Sequence, residues 1–420
     1  MTGLTQDIIV EILLRLPVKS LIRFTCVCKQ WLSLITDPKF TKLHWTRAID
    51  KGNYLDNRRL LVSIYVNIDR AVDAVSPSVR GQIVGYCKGK VCMDFELNTS
   101  IYTLVNDNAC VGIGFCSIGC QLVGSCNGII CSVYGFNTFH LLNPSIREHK
   151  TLPYPGEIHS GRAFYGYLLH GFGYDSSTDD YKLFRGSYSP VKSTIEIFSL
   201  KTNSWRRIQE FPTYHPSQHS GVFVNTALHW ATDKVSDGDG MHLGNRVVSF
   251  DLKEEKFMEV PLPDETCIGS CPTLGVLGGD LSMIQHHVDD SHQIWRMKEY
   301  GVKHSWTKLI RLPPSPITKV VPFDYTKDGD IVVLVNKLEL AIYNSKTEAL
   351  ENIALVAPQS DYWYRVTLYM ETLISPNSHS WNEETTPFGH GIQAEVNKKT
   401  LFHPFYGLMW ESFQYRYCCL

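Results

Sequence analysis

Between residues 120 and 353 this sequence repeats one pattern of short strands, and a chain built from such units has few folds open to it. Leu141-Leu142-Asn143, Ile197-Phe198-Ser199, Ser249-Phe250-Asp251, Ile294-Trp295-Arg296 and Ile342-Tyr343-Asn344 each end a short apolar or alternating run, and the last residue of each set recurs at intervals of 56, 52, 45 and 48. Nine residues beyond that anchor stand Leu152, Ile208, Val260 and Ile353; Leu309 stands thirteen beyond, as a four-residue insertion requires. Six beyond stand Trp205, Phe257 and Leu350, with Trp306 at ten and His149 as the polar exception. Each unit therefore reads as a hairpin. A second turn signal precedes each: Asn127-Gly128, Ser176 to Asp180, Asn225-Thr226, Gly278-Gly279-Asp280 and Asp328-Gly329-Asp330. Two hairpins make four strands per unit, the signature of a β-propeller, whose blades bury against one another what none can bury alone. A sandwich with long loops is the alternative, but nothing in a sandwich maintains one nine-residue offset through four units. The units lack a consistent double glycine, so they are not regular kelch repeats. A weaker unit begins near Cys92-Met93-Asp94-Phe95, and the strand-like run Leu60 to Val66 is available to complete a ring.

The first fifty residues differ in kind. Ile8, Ile9, Ile12, Leu13 and Leu16 fall on one face of a helix that Thr5 caps, with Leu4 stapled onto Ile9, and that Pro17 stops. Leu21, Ile22, Phe24 and Val27, then Trp31, Leu32, Leu34 and Ile35, supply two more short helices, and Asp37-Pro38 closes the group. Three helices in some forty residues are too small to bury so many large apolar groups privately, so part of this surface seeks a partner or caps the downstream domain.

Composition excludes several classes of function. Among 420 residues, 40 Lys and Arg face 42 Asp and Glu for a formal net charge of −2, which argues against general nucleic-acid binding. The segment Asn108 to Ile146 is free of Asp, Glu, Lys and Arg, but its glycines break any helix, so no membrane span is expected. The thirteen cysteines and the absence of a signal-like N-terminus lead us to expect a reducing compartment, cytoplasmic, nuclear or both.

The order of residues adds a resemblance. The run Asp7 to Leu21, then Arg23-Phe24, Val27-Cys28-Lys29, Trp31, Ser33-Leu34-Ile35 and Asp37-Pro38-Lys39-Phe40, closely resembles the plant F-box motif, with Leu4-Thr5 where that family usually has Leu-Pro. Gly124 to Cys131, Leu142 to Ser145, Gly171 to Asp175 with Asp179 to Lys182, Leu228-His229-Trp230 and Trp295 to Tyr300 resemble the F-box-associated interaction domain of the plant F-box/kelch-repeat-like proteins. The resemblance implies a mainly β chain: a three-helix F-box over residues 1–45, a β-propeller-like substrate-binding domain of four-stranded units over 46–400, and a tail over 401–420. It also implies a substrate-recognition subunit of an SCF-type, cullin-RING ubiquitin ligase, docking a Skp-type adaptor through the F-box and a protein target through the propeller. Leu4, Ile8, Ile9, Leu13, Leu16, Pro17 and Leu21 are expected to face the adaptor. A propeller hydrolase, with carboxylates or histidines converging on the central channel, and a scaffold that promotes no degradation are the alternatives.

Other chemistry reads weakly. Gly124-Ser125-Cys126-Asn127-Gly128 has the outline of a nucleophile elbow with Cys in place of Ser, but Asn-Gly between two apolar runs predicts a tight hairpin instead. Cys116 with Cys120, Cys267 with Cys271, His286-His287 and His215 with His219 lack the spacing of a zinc site, so no metal and no cofactor is expected. Trp205, Trp230, Trp295 and Trp306 recur with the units and are expected to pack between blades. Loops that break the repeat are candidates for target binding: 213–220, 232–245, 284–292 and 300–305, and within them His215, His219, Met241, His242, His286 and Tyr300.

Overall fold

A computed structural model describes residues 5–50, 58–65, 82–87, 90–96 and 120–378, apart from the connections at 135–136, 156–166, 189–193, 209–214, 217–218, 236–241, 266–270, 288, 313–319, 327, 336–338 and 354–362. The expected tail over 401–420, and Leu4 and Met241, lie outside the described residues.

The N-terminal module has four helices rather than three: α1 (Gln6–Leu13), α2 (Val18–Phe24), α3 (Lys29–Thr36) and α4 (Pro38–Asp50). Asp37-Pro38 opens α4 instead of closing the group. Asp37 Oδ1 accepts hydrogen bonds from the backbone N–H of Lys39 (2.7 Å) and Phe40 (3.2 Å), and Pro38 takes the first helical position, where its missing N–H is no loss. Thr5 holds the N-cap position of α1 by its backbone, with no hydrogen bond from its side chain.

The rest is strand. Five sheets take their strands in order along the chain. The first contains β4 (Cys120–Cys126), β5 (Ile129–Tyr134), β6 (Thr138–Asn143) and β7 (Glu148–Thr151). The second contains β8 (Tyr167–Asp175), β9 (Asp180–Tyr188), β10 (Thr194–Ser199) and β11 (Ser204–Ile208). In the third, β14 (Ala227–Val235), β15 (His242–Asp251) and β16 (Phe257–Val260) follow the short strands β12 (His215–Pro216) and β13 (Val222–Val224), which both pair with β14. The fourth contains β17 (Thr273–Leu277), β18 (Asp280–His286), β19 (His292–Met297) and β20 (Trp306–Leu312). The fifth contains β21 (Val320–Tyr325), β22 (Ile331–Val335), β23 (Glu339–Asn344) and β24 (Ala349–Ile353). A further sheet joins the two ends of the strand-rich region: β1 (Arg58–Tyr65), β2 (Gln82–Cys87) and β3 (Lys90–Glu96) pair with β25 (Trp363–Met370) in the order β2-β3-β1-β25. The two weak strand signals near residues 60 and 92 thus meet in one sheet.

Turn chemistry fixes the hairpins. Asn127 and Gly128 take φ of 47° and 82°, Asn225 and Thr226 take 49° and 63°, and Gly278 and Gly279 take 60° and 86°, so each of these hairpins turns on two left-handed residues. Between sheets lie continuous apolar clusters. Leu183 points toward Phe139 and Val133 of the sheet before it, while its neighbour Phe184 points toward Trp230 and Phe250 of the sheet after it. That period-two alternation packs both faces of a middle strand, and β22 is buried at every residue. Trp205 and Trp306 serve the role the repeat suggested: each donates its indole N–H, at 2.8 Å, to a proline carbonyl of the preceding sheet, Pro153 and Pro261 respectively. Trp230 and Trp295 are buried in the same inter-sheet layers.

Candidate functional site

The helical module has a buried apolar cluster and, apart from it, exposed apolar side chains. Its inner surface buries Leu13, Leu14, Val18, Leu21, Ile35 and Phe40 in one cluster, completed by Leu373 from the segment after β25 and flanked by Ile146 from the β6–β7 turn. Its outer surface leaves Ile8, Ile12, Val27 and Leu32 46%, 47%, 59% and 45% exposed. Such exposure concentrates here, because only Tyr154, Met258 and Val302 are comparable large apolar residues among the described strand region.

The residues expected to face an adaptor differ in exposure. Ile8 and Pro17 are exposed and Ile9 and Leu16 half-buried, but Leu13 and Leu21 are sealed in the module's own core. Periodicity locates a helix's apolar stripe without saying what the stripe faces, and here Leu13 and Leu21 face inward. Ile12, Val27 and Leu32, exposed as well, were not among the residues singled out. A signal for one of them was present, since Ile8 and Ile12 are four apart on α1 and share a face. Glu11 on the same helix pairs with Arg47 of α4 at 3.0 Å and with Arg15 at 3.6 Å; the Arg47 guanidinium holds its carboxyl below the usual carboxylate range.

The module is joined to the propeller along one edge. Lys42 Nζ lies 2.7 Å from Asp179 Oδ2 in the β8–β9 turn, and the side chain of Asn143, fully buried, donates to the carbonyls of Thr372 (3.0 Å) and Ile374 (2.8 Å). Ser375 and Asn377 hydrogen-bond Glu148, the latter at 3.2 Å. The segment 371–378 is therefore strapped across the first turns of the ring and delivers Leu373 to the helices. Gly128 shows how close this approach is, because an added Cβ would stand 2.3 Å from Thr372 Oγ1 and 2.6 Å from the Met370 carbonyl oxygen.

Strand direction sorts the candidate loops. In these antiparallel sheets the turns β4–β5, β6–β7, β8–β9 and β19–β20 lie at the helix-bearing edge, and the β18–β19 hairpin, with the ends of β9 and β14 and the starts of β10 and β15, lies at the opposite edge. His215, His219, His242 and His286 belong to the opposite edge. Tyr300 does not: it sits in the β19–β20 connection, packs on the cluster between the third and fourth sheets, and meets His229 Nε2 through its hydroxyl at 2.7 Å. A loop insertion is visible in sequence, but the edge on which it emerges depends on how many strands precede it. His219 is exposed, with Nδ1 3.0 Å from the Leu168 carbonyl oxygen, while His286 and His292 face each other across the β18–β19 hairpin with their Nδ1 atoms 2.8 Å apart. Beneath this edge the buried Arg185 binds Glu196 at 2.5 Å and Asn137, opposite a buried His170.

Cys126 ends a strand at a two-residue turn rather than entering a helix, and burial pushes its thiol far above the usual thiol range. No carboxylate and no imidazole stands among the described residues that line the axial channel. Asp175, Asp179 and Asp180 are engaged in turn and ion-pair contacts: Asp175 accepts from Ser177 and Thr178 and pairs with the buried Lys182 at 2.9 Å, Asp179 bonds Tyr174, and Asp180 accepts from Ser199 and Lys201. No group of three or more metal-ligating side chains occurs among the described residues, and no described helix is long and apolar enough to cross a membrane.

Comparison with known proteins agrees with this division. Residues 1–43 match the F-box domain, and residues 93–386 match the F-box associated beta propeller domain. An F-box/kelch-repeat protein of Arabidopsis thaliana is 30% identical over 89% of this chain and 96% of its own length. The F-box protein CPR1 of the same plant is 27% identical over 86% of this chain and 87% of its own. A second F-box protein from that plant is 26% identical over 89% of this chain and 97% of its own.

Proposed function

We propose, from the premise that this chain belongs to the plant F-box proteins with an F-box associated beta propeller domain, that it is the target-selecting subunit of an SCF-type ubiquitin ligase. In this reading α1 to α3 dock a Skp-type adaptor bound to a cullin, the propeller's opposite edge holds a protein target, and ubiquitin chemistry takes place on other subunits. The cytoplasm and nucleus are the compartments this role implies.

The observation that carries the reading is the outward pairing of Ile8 and Ile12 on α1, with Val27 and Leu32 likewise exposed, on helices whose inner face is already sealed against Leu373. An apolar patch that the chain's own core does not use is a surface for a partner. Placing a carboxylate at its centre should remove an anchor contact of about 2 kcal/mol or more, roughly a thirtyfold loss of affinity. Ile12→Asp is therefore expected to abolish capture by a purified Skp-type adaptor while the circular dichroism and melting temperature stay those of the parent. Undiminished capture by a folded Ile12→Asp protein would reject this docking face. His219 and His286 are the described histidines to replace first on the opposite edge, read out as target ubiquitination in a reconstituted ligase.

A further inference from the structure

The sheets surround an axial channel, and at the helix-bearing edge α4 roofs it with Trp45 and Ile49. The space, partly open to solvent, is about 560 Å3 and is walled by the inner strands of all the sheets: β4, β8, β13 with the residues leading into it, β17, β21 and β25. Its walls are more apolar than polar, and the apolar side chains Leu122, Phe223, Val276, Phe323 and Leu368 are each half-buried. The polar side chains among them, Ser125, Asn127, Ser220, Asn225, Thr367 and Tyr369, include no Asp, Glu, Lys, Arg or His.

Gly124 marks the same place from a second direction. Within the inner strands, Gly171, Gly173, Gly221 and Gly275 are required by packing, since an added Cβ would stand 2.3 to 2.7 Å from a neighbouring atom. At Gly124, which lines the channel, an added Cβ would meet nothing nearer than the Phe172 carbonyl oxygen at 3.9 Å, and its backbone is not left-handed. Packing does not ask for glycine there, although the β4–β5 register shifts between Leu122 and Gly124, an irregularity that glycine accommodates. A strand glycine with room above it suits the close approach of a ligand.

We propose that the roofed channel binds a neutral, mostly apolar small molecule carrying a few hydroxyl or carbonyl groups, held between the propeller and α4. Volume and lining both fall within the range of small-molecule sites, where apolar walls bury the ligand and a few polar groups orient it. The class of ligand follows from charge: with no ionised side chain on the described walls, an ionised group would lose hydration without gaining a counter-charge. Because Trp45 belongs to the helical module and Phe323 to the ring, one bound molecule would touch both parts. This inference does not depend on the adaptor reading.

The test uses the full-length chain and Nile red, an uncharged apolar fluorophore, titrated by fluorescence. The parent protein is expected to bind it saturably, and Gly124→Leu, which fills the channel, to weaken binding at least about tenfold. Trp45→Ala, which opens the roof without touching the β4 wall, is expected to weaken it likewise and serves if Gly124→Leu fails to fold. Ile12→Asp, on the outer helix surface, is expected to bind the dye as the parent does. Equal binding by the parent and a folded Gly124→Leu or Trp45→Ala protein, or loss of binding confined to Ile12→Asp, would overturn the proposal, as would a parent protein that binds no dye.

Discussion

At the residue scale, the buried imidazoles set how this protein responds to acid. Burial, with the Arg185 guanidinium opposite and His219 nearby, pushes His170 down to about 3 from its ordinary 6.5, and burial takes His229 down to about 4 against the opposing pull of hydrogen bonds to the Val222 and Ala227 backbone. Below pH 6.5 the unfolded chain therefore binds protons that the folded chain refuses. The stability these groups contribute is complete above about pH 6.5 and falls as pH drops toward the folded values, by about 2 kcal/mol per imidazole at pH 5. Denaturant midpoints should fall between pH 7.5 and 5.0, before most carboxylates titrate, and His229→Gln should flatten that slope by about one proton. An unchanged slope in the variant would show that His229 is not held neutral. The inter-sheet indoles belong to the same scale. Trp306→Ala should cost about 3–5 kcal/mol in urea unfolding, because it empties a buried site and orphans the Pro261 carbonyl. A Trp306→Ala protein with parental stability would return that residue to the list of candidate contact residues.

Among elements, the strap 371–378 and helix α4 decide whether the two parts act as one body. Leu373 lies in the helical core and Asn143 holds the strap, so Leu373→Ala and Asn143→Ala should each loosen the module from the ring while leaving the sheets intact. Limited proteolysis is expected to degrade the helices of Leu373→Ala faster than those of the parent, with the propeller melting transition displaced less than the helical one. Equal cleavage rates would mean that the strap does not secure the helices. This joint was the least legible part of the sequence. The Asn127-Gly128 hairpin could be read because the turn needs left-handed residues at those two positions and the sequence names them. Asp37-Pro38 could not be read uniquely, since proline ends one helix and opens another equally well. Nor do Leu13 and Leu21 record which side of their helices faces another element; that depends on Leu373, more than three hundred residues away in the chain.

For the whole molecule, repetition carried the reading further than any single motif. Four units sharing an offset, and a fifth that departs from it by one insertion, specify how each sheet packs on the next, and the clusters between them follow from alternation along the strands. What repetition leaves open is closure: the pairing of β1 with β25, Leu60 opposite Leu368 and Val62 opposite Val366, has no local signature. The same holds for the two edges of the ring, which separate His219 and His286 from Tyr300 only once the strands are counted.

The pairing of β1 with β25 also orders events during synthesis. The helices emerge first, yet Leu373, which completes their core, is among the last described residues to be made, and β1 waits for β25 throughout. At roughly 5–20 residues per second, that interval lasts on the order of 15–60 s. Until it ends, a nascent chain presents an unpartnered strand and an incompletely covered helical core, both of the kind that chaperones hold. A product truncated before residue 363 lacks both the closing strand and the leucine that seats the helices, so its defect is exposed at two places at once.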